Sequence, residues 1–352
     1  MLQCKKGMFI SASQRLAVYL LAVFVVLSTT ISSAFAEQKM IAIDGKTMGT
    51  TYHIKWFSND VNNQSSIQLL QHKIDQRLVD INQVMSTYIA DSELSLFNQQ
   101  PAGTEQQVST ELYNIVLKAE DISEKSKGAY DITVGPLINL WGFGPDKRVI
   151  KAPSDQQITE IRARVGYQKL QLLADKRIKK NADLYVDLSS IAKGYAVDEI
   201  ANLIDSTGID VYLVEIGGEL VTKGLKPGQD PWKIAVESPT AGRSVQRIVR
   251  VDDVGVATSG DYRNYFEEDG VRYSHIIDTT TGKPIRHNLA SVTVIADNCG
   301  LADALATAFL AMGLEKSYQY AIDHNIDAFF ISKSSTGFEE KVTPGFAKRI
   351  LN

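Results

Sequence analysis

The stretch Asp187-Leu-Ser-Ser-Ile-Ala-Lys-Gly-Tyr-Ala-Val-Asp198 places an acid at the end of an apolar run and small residues at the opening of a helix. Upstream, Leu170 to Val186 has the text of paired strands. Downstream, Ile191 to Ser206 carries helical periodicity and Val211 to Val221 is again strand-like. Strands and helices are therefore interleaved without regular alternation. That pattern predicts an α+β fold of mixed, mainly antiparallel sheets with packed helices, and disfavours a doubly wound parallel sheet.

Working toward the amino terminus, Lys39 to Phe57 alternates through Ile41, Ile43, Tyr52, Ile54 and Trp56, which predicts two strands joined near Asp44-Gly45. Ile67, Leu70, Ile74, Leu78, Ile81 and Val84 recur at three- and four-residue steps, the mark of a helix with one buried stripe. A second helix is expected from Thr110 to Lys127, closed by Gly128. Glycines and prolines between Gly135 and Pro153 predict a loop, followed by a helix over Ile158 to Val165. Toward the carboxy terminus the text is β-rich from Trp232 to Ile277 and from Ala290 to Ile295, then helical from Leu301 to Met312. With no proline- or serine-rich linker, residues 37–352 read as one catalytic unit with two lobes.

The 352-residue chain is 44% hydrophobic and 22% charged, enough to bury a full core. A net charge of −4 gives no broad electrostatic reason to bind nucleic acid. Residues 1–36 read as an export signal: Lys5, Lys6 and Arg15 precede the apolar run Leu16 to Leu27, and Ala34-Phe35-Ala36 supplies a cleavage site. At 12 residues the run is too short to span a bilayer of ~30 Å. Cleavage after Ala36 leaves 34 basic against 41 acidic residues, a net −7. The alternative is an uncleaved anchor. Either way the expected location is the periplasmic side of the inner membrane. Cys299 is then the sole thiol of the mature chain and reads as a small buried hydrophobe.

Three segments carry side chains that folding alone does not require. In the 187–198 segment, small residues let a ligand approach the backbone, and Lys193 adds a charge where helix amides suit a diphosphate. The ordinary reading is a strand-to-helix turn capped by Asp187. In Ser274-His-Ile-Ile-Asp-Thr-Thr-Thr-Gly282, His275 and Asp278 would lie on different faces of an extended chain, but a bend could turn both to one pocket, where either could take a proton from a hydroxyl; the ordinary reading is a structural histidine and a turn over Asp278 to Gly282. In Gly300-Leu-Ala-Asp-Ala-Leu-Ala-Thr-Ala308, Asp303 and Thr307 stand four apart on one helix face, an oxygen-donor pair suited to Mg²⁺, although taken alone the segment reads as the polar face of an alanine-rich helix. Met85-Ser-Thr-Tyr88, Tyr130-Asp131 and Trp141-Gly-Phe-Gly144 put rings beside polar groups or glycines, where a flat ligand could stack or a groove could form.

Taken in order, Met48-Gly-Thr-Thr-Tyr52, Met85-Ser-Thr-Tyr88, Ser92-Glu-Leu-Ser95, Gly128 to Pro136, Trp141 to Gly144, Asp187 to Gly194, Ile216-Gly-Gly-Glu219, Val256-Ala-Thr-Ser-Gly260, His275 to Gly282 and Ala302 to Thr307 resemble the ApbE-type FAD:protein FMN transferases. The likeness covers nearly the whole mature chain. It implies a two-lobed, T-fold-related catalytic unit that splits FAD, joins the FMN half through a phosphoester to a threonine or serine of a target protein, and releases AMP. It further implies Mg²⁺ on Asp303, Thr307 and the backbone carbonyl of Ser190. FAD contacts are implied at Met48, Tyr88, Ala129, Tyr130, Asp131, Asp187, Lys193 and the backbone around Ile277. His275 is the implied base, with Asp278 placing it or replacing it. Where another acid often precedes the Asp303 position in the family, this chain has Asn298 and Gly300. The implied acceptor is a subunit of a sodium-pumping NADH:quinone oxidoreductase or a related electron-transfer complex. Two rivals share these residues: a Mg²⁺-dependent FAD pyrophosphatase giving FMN and AMP, and a non-enzymatic exported flavin-binding protein.

Overall fold

A computed structural model of the chain describes residues 38–59, 63–145, 151–240, 244–262 and 264–351. The export signal read in residues 1–36 lies outside the described residues. Among the described residues no helix is long and apolar enough to cross a membrane.

The frame is an eight-stranded antiparallel sheet whose spatial order follows the chain. Its strands are β1 (Lys39–Thr47), β2 (Thr50–Ser58), β3 (Tyr212–Ile216), β4 (Glu219–Lys223), β5 (Val254–Gly260), β6 (Leu289–Ala296), β7 (Asp327–Ser334) and β8 (Gly337–Val342). The mixed α+β class with mainly antiparallel pairing agrees with the sequence reading. The first hairpin differs in detail, because its turn is Met48-Gly49 rather than Asp44-Gly45. Both turn residues have positive φ, 48° and 71°, as a two-residue turn matching the strand twist requires. Gly45 instead lies within β1, opposite Tyr52.

Four helices matter for the site: α1 (Gln64–Met85), α2 (Thr110–Lys125), α3 (Ala192–Asp205) and α4 (Cys299–Met312). The expected apolar stripe of α1 is buried at Leu70, Ile74, Leu78 and Ile81. Helix α4 is apolar on almost every side and accordingly buried almost all round. It lies on β5 and β6 and against α3. Its residues divide between two clusters, with Cys299, Ala304 and Ala308 facing the β1–β3 half and Ala302, Ala306, Phe309 and Leu310 facing the β5–β7 half. On the other face of the sheet a hairpin of Trp232–Glu237 and Val245–Val251 covers Val256, Ile295, Phe329 and Ile331. Strands β6 and β7 are therefore buried on both faces.

The stretch expected as loop between Gly135 and Pro153 contains a short helix, Gly135–Leu140. Pro136 sits at its start, where a fixed φ and a missing amide cost nothing, so proline begins this helix instead of forbidding it. Trp141 then stacks on Tyr273 at 5.3 Å and donates its Nε1 hydrogen to the Gly282 carbonyl at 2.9 Å, which makes it core and not groove lining.

Candidate active site

The end of β5, the Gly217-Gly218 turn into β4, the start of α3 and one side of α4 meet around a cavity of about 390 Å³. At its floor Lys193 Nζ lies 3.2 Å from Glu219 Oε1 and 3.8 Å from Asp303 Oδ2. The Gly194 amide donates to that same Asp303 oxygen at 3.0 Å. The approach of α3 to α4 permits this: a Cβ on Gly194 would fall 2.4 Å from the Cys299 carbonyl oxygen, so only glycine fits. The α4 amino terminus is held from α3 as well, since Asp198 accepts from the amides of Cys299 and Gly300, both at 2.8 Å.

Two nearly buried carboxylates thus share one ammonium. Burial pushes the Glu219 and Asp303 carboxyls up, and Lys193 opposes it in both. Although 29% of the Lys193 side chain is open to the cavity, its ammonium is enclosed, and burial acts against its charge. Asp303 and Glu219 outweigh that penalty and raise its pKa above the usual lysine value. Glu219 Oε2 has no hydrogen-bond partner. A buried acceptor without a partner is costly. With two carboxylates and one cation, the cluster has capacity for another cation or donor.

Thr307 Oγ1 faces the same cavity, 3.0 Å from Ser259 Oγ. Ser190 Oγ donates to the Tyr130 hydroxyl at 2.9 Å. His275 is held by the main chain of Asn264: its amide reaches the Asn264 carbonyl at 3.2 Å and its Nδ1 at 3.0 Å. Nδ1 donating to a carbonyl leaves Nε2 as a free acceptor. Burial lowers the His275 pKa, so the ring is neutral at pH 7.

A sequence profile of the ApbE family matches residues 48–330. The chain belongs to the ApbE family. A curated FAD:protein FMN transferase of Vibrio cholerae is 46% identical over 312 residues, covering 88% of this chain and 92% of that protein. Its counterpart in Escherichia coli K12 is 39% identical over 319 residues, covering 89% and 90%. Among solved structures, the flavin transferase ApbE from V. cholerae aligns with a TM-score of 0.82 at 43% identity, over 89% of this chain and 99% of that one. The apo flavinyl transferase ApbE of Pseudomonas stutzeri also gives 0.82, at 41% identity and 89% and 97% coverage.

Most family positions read from the sequence line this one cavity: Tyr88, Ala129, Tyr130, Asp131, Asp187, Ser190, Lys193, His275, Ile277, Asp303 and Thr307. Met48 lies in an adjoining groove of about 1220 Å³ that shares Tyr88, Ser189, Lys193 and Asn264 with the cavity. Asp278 stands apart from His275 in role. Its Oδ1 accepts from the Thr280 amide and hydroxyl at 2.9 and 2.6 Å, and its Oδ2 from the Thr281 hydroxyl at 3.0 Å. The carboxylate closes its own turn while His275 enters the cavity. Of the helix-start amides expected to suit a diphosphate, Ala192 donates to the Leu188 carbonyl at 2.8 Å, Gly194 to Asp303 at 3.0 Å and Tyr195 to the Ile191 carbonyl at 2.9 Å. Glu219, Ser259 and Asn264 were not among the functional residues expected. A visible signal existed for Glu219, an acid directly after two glycines at the start of an apolar strand.

Among the described residues no group of three or more His, Cys, Asp or Glu side chains stands in metal-binding array. Mg²⁺ bound with substrate phosphates needs only one or two carboxylates. Asp303, Thr307 and Ser190 all line the cavity, and with an unpartnered Glu219 oxygen among the lining they give a hard-oxygen environment that fits such an ion.

Proposed function

We propose that this cavity binds FAD and transfers its FMN half to a threonine or serine hydroxyl of another protein, releasing AMP. The observation that carries the reading is the meeting, in one cavity, of the anionic Lys193-Glu219-Asp303 cluster with a neutral His275 whose Nε2 is free.

His275 Nε2 accepts the proton of the acceptor hydroxyl. The hydroxyl oxygen bonds to the phosphorus of the FMN half, the bond from that phosphorus to the bridging oxygen breaks, and AMP leaves with that oxygen. Lys193 offsets negative charge on the diphosphate. Asp303, the Thr307 hydroxyl and the Ser190 carbonyl would hold Mg²⁺, which when bound neutralises phosphate charge. Phe143, Ile138 and Ile277 form apolar wall and limit water, which would otherwise compete with the hydroxyl. The cavity is at the small end for a ligand of drug size, so a dinucleotide must extend into the Met48 groove, where Tyr88 offers an exposed ring for stacking.

The acceptor in this reading is a subunit of a sodium-pumping NADH:quinone oxidoreductase or a related electron-transfer complex. The text of residues 1–36 supports export to the periplasmic side with cleavage after Ala36, which the amino-terminal sequence of the secreted protein would test. The reaction itself is tested by incubating the protein with FAD, Mg²⁺ and a candidate acceptor, followed by mass spectrometry. FMN on a threonine or serine with an equal yield of AMP supports transfer. Free FMN with an unlabelled acceptor would replace it with hydrolysis.

A further inference from the structure

A second groove, of about 1070 Å³, adjoins the cavity and shares no lining residue with the Met48 groove. Ala129, Thr279 and Ala311 line both spaces, so the two adjoin. Thr279 also fastens their shared wall by donating to the Gly128 carbonyl at 2.6 Å. The groove is lined by five lysines and arginines against three acids, on a chain whose net charge is −4. Of the acids, Glu315 pairs with Lys341 at 3.4 Å, while Asp278 in its own turn and Asp323 with Gln319 at 2.7 Å are held by neutral donors, so basic groups outnumber acidic ones in the lining by two. Of the cations, Lys125 pairs with Asp121 and Lys283 with Asp155. Lys127, Arg286 and Lys316 are exposed and have no acidic partner among the described residues.

An enzyme that joins two large substrates needs two approaches to its reacting centre. FAD takes the cavity and the Met48 groove, which leaves the basic groove without an occupant. We propose that it receives the acceptor protein, as an extended segment whose acidic residues meet Lys127, Arg286 and Lys316 while its hydroxyl passes Thr279 to reach His275. This rests on the transfer reading above and adds the chemistry of the partner. Charges of this kind steer encounter and fix register, and their contribution falls with salt.

The test uses the full chain and two fluorescently labelled synthetic peptides, each with one threonine, flanked by Asp and Glu in one and by Lys in the other. Polarisation at low salt should show the acidic peptide binding at least about tenfold tighter, with affinity falling as NaCl rises. The triple variant Lys127→Glu, Arg286→Glu, Lys316→Glu should lose that preference while binding FAD as the parent does. Equal binding of the two peptides, or an undiminished preference in the triple variant, would overturn the proposal. So would binding to anionic lipid vesicles that the triple variant loses while both peptides remain indifferent, which assigns the groove to a membrane surface. A parent protein that fails to bind FAD would overturn the transfer reading and this one together, whereas FAD binding with indifferent peptides removes the groove alone.

Discussion

Among the acids in and beside the cavity, four sort into two kinds. Asp131 accepts from the Thr133 amide and hydroxyl at 2.8 and 2.6 Å and from the Tyr167 amide at 2.9 Å, and Asp278 is similarly surrounded by Thr280 and Thr281. Asp303 and Glu219 are as deeply buried as Asp131, yet they share one lysine, and one Glu219 oxygen has nothing. Protein donors complete the first pair, so those acids stabilise turns. The second pair is left incomplete at a cost, which is the expected signature of a site finished by its ligand.

The largest effect should come from the incomplete pair. Asp303→Ala is expected to reduce transfer by more than about 10³-fold, the scale on which a charge-stabilising group acts, measured as FMN added to acceptor at ordinary Mg²⁺. Near-normal turnover would remove Asp303 from the site and collapse the distinction. His275→Ala comes next, with a loss of about 10²- to 10⁴-fold and FAD binding retained. In the parent, activity should hold at neutral pH and fall as the pH drops through the His275 pKa, which burial places below the usual histidine value. An acid limb that persists unchanged in His275→Gln would mean that another group titrates.

The complete pair should respond in stability first. Asp131→Ala strands the Tyr167 and Thr133 amides and should lower unfolding free energy by about 3 kcal/mol, from roughly 1–3 kcal/mol per unsatisfied buried group, read by denaturant midpoint. The smallest effect is expected at Asp278. Burial raises its pKa, but bonds from Thr280 and Thr281 win and hold it below the usual carboxylate range. Its stabilising contribution is therefore present at neutral pH and lost only as the pH falls through that lowered value. Asp278→Asn keeps an acceptor oxygen and should reduce transfer by less than about tenfold. A loss matching His275→Ala would move the base to Asp278.

Much of this was legible in local text. Helix α1 follows its three- and four-residue stripe, α4 was expected over nearly its full length, and Asp303 and Thr307 do share one helix face. Where reading failed, two local signals competed. Asp44-Gly45 and Met48-Gly49 both suit a turn, and the pairing of Ile43 with Ile54 selects the second. Pro136 reads as a breaker until its position at a helix start is known.

The sequence by itself determined the α+β class, the order of the motifs, the family and eleven of the residues that line the cavity, because periodicity and motif text are local properties. Only the tertiary structure decided which carboxylates are complete and which are not. Lys193, Glu219 and Asp303 lie on three different elements, and their mutual distances follow from the glycine-tight contact of α3 with α4 over the end of the sheet. Hydrogen-bond satisfaction is a property of where chains meet, so spacing along one chain cannot report it.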